Sequence, residues 1–93
     1  MKLELVRSRR FKKSYKRVSK QIGFKRDVFL SVLKSLTDSV ILDQKYRDHA
    51  LSGDMLGYRE CHLAPDTLLI YEIDDGVLTL TLINIGSHSQ LFK

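Results

Sequence analysis

Hydrophobic and polar residues alternate in short blocks along the first half of the chain, and each block predicts one element. Residues 2–7 alternate with a period of two, which predicts a first strand. Ser8 is a suitable N-cap for a helix whose narrow apolar stripe is formed by Phe11, Tyr15, Val18 and Ile22. A second helix over 25–37 has a broader apolar face of Val28, Phe29, Val32, Leu33 and Leu36.

The second half of the chain is predicted to be mainly strands. Periodicity is lost over 38–57, a length of loop that is usually functional. The predicted strands are 58–63, 67–73 and 77–85, separated by turns at Pro65-Asp66 and Asp75-Gly76. The order β-α-α-β-β-β indicates an α+β fold, with two N-terminal helices packed on one face of an antiparallel sheet. The opposite face is then free for function.

Composition limits the class of protein. The 93 residues are 43% hydrophobic and 29% charged, and we expect residues 1–93 to form a single domain. No apolar run approaches the roughly 20 residues of a membrane span, and the N-terminus lacks a secretion signal. Cys61 has no second cysteine to pair with, so we expect a reducing, cytoplasmic setting.

Charge is distributed unevenly along the chain. Residues 1–38 contain 12 Lys and Arg against 3 Asp and Glu, a net charge of +9. Residues 39–93 contain 4 against 8, a net charge of −4. The basic half suits nucleic acid, an anionic membrane surface or an acidic protein partner. A solvated helix face explains the same charge equally well.

Three histidines, His49, His62 and His88, are the groups best suited to move protons near pH 7. Their spacing does not favour a metal site, because no pair is separated by four residues and one cysteine cannot form a zinc knuckle. We expect no metal and no cofactor. Cys61 is predicted to be a small buried hydrophobe rather than a nucleophile. Acid/base chemistry remains, and RNA cleavage requires only a base, an acid and cations for the phosphorane charge.

The segment 46–71, YRDHALSGDMLGYRECHLAPDTLLIY, resembles the YafQ branch of the RelE/ParE toxin superfamily. That branch has a D-H-x-L-x-G element, then G-Y-R-x-x-H-x-x-P-D, an apolar L-I-Y strand, and a final G-x-H followed by L-F. The matching segments here are 48–53, 57–66, 69–71, 86–88 and 91–92. The basic helical half agrees with the family in order and charge, without a diagnostic motif.

This resemblance implies a ribosome-dependent mRNA endoribonuclease, the toxin of a bacterial toxin–antitoxin pair, on a fold resembling microbial ribonucleases. The positions that match the family's active-site residues are His49, His62, Asp66, His88 and Phe92. His88 is the candidate general acid, while Asp66, His62 and His49 remain alternatives for the general base. Phe92 is expected to stack on an RNA base.

One position departs from the family pattern. The best-known member of the branch has tryptophan after the P-D pair, whereas this chain has Thr67, whose hydroxyl cannot stack on a base. Phe92 or Tyr58 is therefore expected to carry more of the stacking. Arg59 is a further substrate-binding candidate, although a regular strand separates it from His62 and favours a structural role.

The family also implies partners. We expect a cognate antitoxin with an acidic toxin-binding segment, mRNA on the ribosome, a toxin–antitoxin hetero-oligomer and no membrane. Two other functions use the same features. A ParE-like toxin would inhibit DNA gyrase by binding it, without nuclease chemistry or need of the histidines. A basic RNA-binding module would bind RNA with a steep salt dependence and would not cleave it.

Overall fold

The computed structural model describes residues 2–92. The principal elements in chain order are β1 Glu4–Arg7, α1 Arg9–Val18, α2 Arg26–Thr37, β2 His49–Ala50, β3 Arg59–Ala64, β4 Thr67–Asp74, β5 Thr79–Gly86 and α3 His88–Leu91. Single 3-10 turns at Gln44–Tyr46 and Gly53–Met55 flank β2 within the segment that was predicted to be irregular. None of the helices in the described part of the chain is long and apolar enough to cross a bilayer.

Both predicted N-terminal helices are present. The Ser8 side chain accepts a hydrogen bond from the Phe11 amide at 3.0 Å, which confirms the predicted N-cap. α1 ends at Val18, so the prediction that Ile22 extends the apolar stripe is wrong, and Ile22 is fully exposed. Lys25 is the N-cap residue of α2, one position before the helix begins.

The strands form a five-stranded sheet in the order β1-β5-β4-β3-β2. β3, β4 and β5 pair antiparallel, as predicted, and the short strand β2, which was not predicted, pairs antiparallel with β3. β1 instead runs parallel to β5, with Glu4 opposite Thr79, so the sheet is mixed rather than entirely antiparallel. The reason is the crossover through the two helices, which returns the chain to the opposite edge of the sheet before the antiparallel strands begin.

The hydrophobic core lies between the two helices and one face of the sheet. Phe11, Val18, Phe29, Val32 and Leu36 contribute from the helices; Cys61, Leu63, Leu69, Tyr71, Leu80, Leu82 and Ile85 contribute from the strands. In β3 these core residues have odd numbers. Because side chains alternate along a strand, the even-numbered residues Glu60 and His62 point to the opposite face.

Candidate active site

The strand register brings the three histidines close together on one side of the sheet, as a group that we call the histidine row. His49 pairs with Glu60 across β2 and β3, and His62 follows two residues later on the same face. His62 pairs with Leu68 of β4, which pairs with Gly86 of β5, two residues before His88. Convergence of the histidines was a geometric expectation that sequence could not verify, and the register accounts for it.

The rings form a continuous line along this row. The centroids are 6.3 Å apart for His49 and His62, 5.8 Å for His62 and His88, and 6.2 Å for His88 and Phe92. The side chain of His62 is largely enclosed, whereas those of His49 and His88 are about half exposed. Phe92 is 41% exposed at the end of the line, which suits a ring that stacks on an incoming base.

Glu60 is a central residue of the site that the sequence reasoning missed. It is only 3% exposed, and its Oε1 lies 3.2 Å from His62 Nε2 and 3.7 Å from His49 Nε2. A buried carboxylate requires such partners because burial of an unpaired charge is costly. The signal that would have found it is parity: Glu60 precedes His62 by two residues on a strand and therefore shares its face.

Asp66 and His88 form the other carboxylate–imidazole pair of the row. His88 donates to Asp66 Oδ1 through its backbone amide at 3.0 Å and through Nδ1 at 3.2 Å. The backbone hydrogen bond, followed by the imidazole hydrogen bond, holds the pKa of Asp66 below its usual value. Asp66 is thus held as a carboxylate, which weakens the case for this residue as the general base.

The short helix α3 sets the position of His88. Ser87 caps it with a reciprocal capping box, in which Ser87 Oγ accepts from the Gln90 amide and Gln90 Oε1 accepts from the Ser87 amide. Gly86 leaves room for this arrangement, because a Cβ there would lie 2.7 Å from Gln90 Oε1. His88 is the first residue of the helix, directly after the cap.

Arg59 is separated from the histidine row. Its guanidinium donates to Asp48 at 3.2 and 3.4 Å, and the Tyr71 hydroxyl donates to the same carboxylate. Tyr71 belongs to the core between sheet and helices, and burial raises the pKa of its phenol. The position agrees with the alternation of β3, which favoured a structural role for Arg59.

The remaining predicted residues lie at strand ends. Tyr58 is half-buried directly before β3, and Thr67 is half-buried as the first residue of β4, opposite Ala64.

Cys61 is completely buried in the core, and burial raises the pKa of its thiol to about 12. The prediction that Cys61 is a buried hydrophobe is therefore confirmed.

The row also contains donors that can hold a metal ion. One ligand atom each from Glu60, His62 and His88 lies within 4.8 Å of the other two. Linear spacing did not reveal this group because its members come from β3 and from the start of α3. Imidazole and carboxylate donors of this kind suit Zn²⁺ or Cu²⁺. The expectation that the protein functions without a metal stays a prediction.

The YafQ family model, a bacterial toxin of type II toxin–antitoxin systems, matches residues 3–93. This chain belongs to the YafQ toxin family. The putative toxin YafQ of Haemophilus influenzae is 36% identical over 64 residues, which are 67% of this chain and 63% of that protein. The mRNA interferase toxin YafQ of Escherichia coli K12 is 37% identical over 57 residues, or 61% of this chain and 60% of that protein. Each aligned segment thus spans less than two thirds of the curated YafQ relative.

Solved YafQ-like structures share the fold over nearly the whole chain. A metal-bound toxin from Helicobacter pylori is 41% identical, with a TM-score of 0.89 over 97% of this chain and 99% of that one. YafQ in the E. coli DinJ–YafQ complex is 28% identical, with a TM-score of 0.85 over 98% of this chain and 99% of that one. The α+β class that the sequence predicted is therefore confirmed.

Proposed function

We propose that this YafQ-family protein is the toxin of a type II toxin–antitoxin pair and cleaves mRNA on the ribosome. The observation that supports this activity best is the line of three imidazoles, His49, His62 and His88, held by two carboxylates. The E. coli relative that is named an mRNA interferase supports the same reaction class. Residues 1–93 act as one toxin domain in this proposal, in the cytoplasm.

His88 acts as the general acid. Its Nδ1–H donates to Asp66, so Nε2 is the nitrogen available to the leaving 5′-oxygen of the RNA. Asp66 is then a positioning residue, and its lowered pKa argues against proton abstraction by Asp66.

His49 acts as the general base. Its Nδ1–H donates to the Arg47 carbonyl at 2.6 Å, which selects the tautomer with a lone pair on Nε2. That nitrogen takes the proton of the 2′-hydroxyl, which attacks the phosphorus. His49 and His88 flank His62, so they can serve the attacking and leaving oxygens from opposite ends of the row.

His62 lies between the base and the acid, next to the expected position of the phosphorane. Glu60 holds its Nε2 at 3.2 Å, and a protonated His62 stabilises negative charge that develops on the phosphoryl oxygens. Phe92 stacks on a base beyond His88, and Tyr58 and Thr67 contribute to the substrate-binding surface. Arg59 acts through Asp48 in this proposal, without contact to RNA.

An antitoxin is the proposed protein partner. The E. coli relative was solved in complex with DinJ, a toxin–antitoxin assembly. On this chain α1 presents exposed basic residues suited to an acidic segment: Arg9, Arg10, Lys12, Lys13, Lys16 and Arg17. We therefore propose a hetero-oligomer in which an acidic antitoxin segment folds onto the toxin.

Cleavage mapping on translating ribosomes tests the activity. Replacement of His88 with alanine should reduce mRNA cleavage by about 10²- to 10⁴-fold, the usual contribution of a positioned acid, without lowering the melting temperature. The products should carry 2′,3′-cyclic phosphates and should form in EDTA. Undiminished cleavage by His88→Ala would refute the role of His88, and a strict metal requirement would refute the mechanism.

The gyrase-inhibiting alternative is not favoured by the family to which the chain belongs. A supercoiling assay separates the two activities, since a ParE-like toxin blocks gyrase whether or not His88 is present. The non-catalytic alternative predicts salt-sensitive RNA binding without any cut on programmed ribosomes. Wild-type cleavage that is lost in His88→Ala excludes both.

A further inference from the structure

A cavity of about 570 Å³ adjoins the histidine row beside His62. Its walls come from the start of α2, the 3-10 turn Gln44–Tyr46 with Arg47, and the end of β3. This volume falls within the range of about 300–1,000 Å³ that is usual for small-molecule sites. The residues that matter for its chemistry are Lys25, Lys45, Tyr46, Arg47 and His62.

The lining of the cavity is positively charged, although most of it comes from residues 39–93, the half of the chain that is acidic overall. Three Lys and Arg residues line it, and its lining includes no Asp or Glu. Residues 39–93 contain 4 Lys and Arg in all, and two of them, Lys45 and Arg47, lie here. Lys25 joins them from α2. Such a group of cations beside a proposed RNA-cleaving site suits phosphate.

Tyr46 adds an aromatic surface. Its ring is half-buried against the core, and Lys45 Nζ lies 5.2 Å from the ring centroid. An exposed cation–π contact contributes about 0.5–1 kcal/mol, whereas a base stacked on an aromatic ring contributes about 1–3 kcal/mol. A nucleobase can therefore displace the ammonium from the ring, and the displaced ammonium is then available to a phosphate.

The 3-10 turn also connects the cavity to the proposed base. Arg47 has a left-handed backbone, with φ of 50°, and its carbonyl is the group that accepts from His49 Nδ1. One turn thus presents the Arg47 and Lys45 side chains to the cavity and holds His49 in its reactive tautomer. A nucleotide in the cavity would therefore lie beside the turn that holds His49.

We propose that this cavity binds the nucleotide on the 5′ side of the cleaved phosphodiester, with its base on Tyr46 and its 5′-phosphate held by Lys25, Lys45 and Arg47. The direction of the RNA strand in this proposal rests on the proposed function. His49 takes the 2′-proton of the upstream nucleotide, and His88 protonates the downstream 5′-oxygen, so the RNA runs from the cavity past His62 towards Phe92. Phosphate and a planar base match both the cations and the aromatic ring of the lining, whereas the carboxylates of an acidic peptide would match only the cations.

Binding of short RNAs tests the subsite without cleavage. The probe spans the mapped cleavage position and carries a 2′-deoxyribose there, so the nucleophile is absent. It is compared with versions that lack the upstream or the downstream nucleotide. Wild-type protein should lose about tenfold in affinity without the upstream nucleotide, as expected for one stacked base.

Lys25→Ala combined with Lys45→Ala is the informative variant. It should bind the full probe about as weakly as the wild type binds the probe without the upstream nucleotide, and the salt slope should fall by about 0.7 per lysine. Removal of the downstream nucleotide from the probe should lower the affinity of the wild type and of the lysine variant by the same factor. Lys12→Ala with Lys13→Ala removes the same charge from the exposed surface of α1 and serves as the control.

Tyr46 is tested by a conservative pair. Tyr46→Phe should retain the preference for the upstream nucleotide. Tyr46→Leu should bind the full probe with about tenfold lower affinity, which is the contribution of a stacked base. Thermal unfolding verifies that each variant is folded, because Tyr46 packs on the core. If Tyr46→Leu unfolds, the lysine variant still decides the outcome.

Three results would overturn the subsite. The first is a lysine variant that binds RNA like its α1 control, and the second is a wild type whose affinity does not depend on the upstream nucleotide. The third is a lysine variant with normal RNA affinity and weakened antitoxin binding, which would make the cavity a peptide site. Failure of the proposed function has a separate signature, namely no cut on translating ribosomes by a wild type that still prefers the upstream nucleotide.

Discussion

The two faces of β3 carry two polar networks that differ in composition and surroundings. On the face of β3 that points away from the helices, here called the open face, Glu60 lies between the imidazoles of His49 and His62. On the helix face, Asp48 accepts from Arg59 and from Tyr71, beside the hydrophobic core. Both networks contain a carboxylate and at least two partners, and they are separated only by the thickness of one strand.

The difference between them lies in the partners. Arg59 stays charged at any ordinary pH, and burial raises the pKa of Tyr71, so that network keeps one protonation state. The open face uses imidazoles, which gain and lose protons near neutrality. A strand can thus hold a structural network and a reactive one at adjacent residues, because alternation separates them.

The largest expected effect in this comparison is on the open face. Glu60→Gln retains the shape of the side chain and removes the charge that holds His62 and lies beside His49. By analogy with carboxylates that orient metal-bound histidines, cleavage should fall by about 10- to 100-fold. Stability should change by less than about 1 kcal/mol, because a buried charge is removed together with its desolvation cost.

Glu72→Gln is the matched control for Glu60. Glu72 lies on β4, opposite Thr81, and shares the sheet face of the histidines at a distance along the strand. Its replacement should leave ribosomal mRNA cleavage unchanged. Equal losses in the two variants would mean that overall charge, rather than the position of Glu60, supports the reaction.

The effect expected on the helix face should appear in stability instead of in cleavage. Tyr71→Phe removes a buried donor to the Asp48 carboxylate and should lower the free energy of unfolding by about 1.5–3 kcal/mol. Cleavage by the folded protein should not change. Tyr15→Phe removes the same hydroxyl from a half-buried ring on α1 and should cost less. A large loss of cleavage in Tyr71→Phe would show that the two networks are coupled.

The pH dependence of the Tyr71 contribution follows from its raised pKa. The folded protein holds the phenolic proton more tightly than the unfolded chain, whose tyrosine pKa is about 10. The contribution is therefore complete below pH 10 and declines as the pH rises further. Chemical denaturation of the wild type and of Tyr71→Phe at increasing pH above 10 should give free energies of unfolding that converge.

The smallest effect is expected at Asp66. Its contribution to stability is lost as the pH falls, whereas that of Tyr71 is lost as the pH rises. The pKa of Asp66 is held below the ordinary aspartate value of 3.8, so its pairing with His88 stabilises the fold fully above that pH, and this stabilisation is lost as the pH falls through the lowered pKa. Asp66→Asn should be slightly less stable than wild type at pH 7 and equal to it in strong acid. Asp75→Asn removes an exposed carboxylate from the hairpin and serves as the control.

Much of this architecture was predictable from local pattern. The Ser8 cap, the second helix and three of the strands follow from side-chain periodicity and turn residues, and the parity of β3 separated Arg59 from His62. The family motif identified His49, His62, Asp66, His88 and Phe92 as candidates. Their individual roles remain predictions that the variants above test.

Sequence by itself determined the two long helices and the four longer strands, the alternation of faces along β3 and the types of group available for chemistry, since these depend on neighbours along the chain. Only the tertiary structure decided that β1 pairs parallel with β5, that Glu60 lies between two imidazoles and that Asp66 holds His88. These are pairings between distant segments. They depend on strand register, which the packing of the whole core selects and which no local pattern encodes.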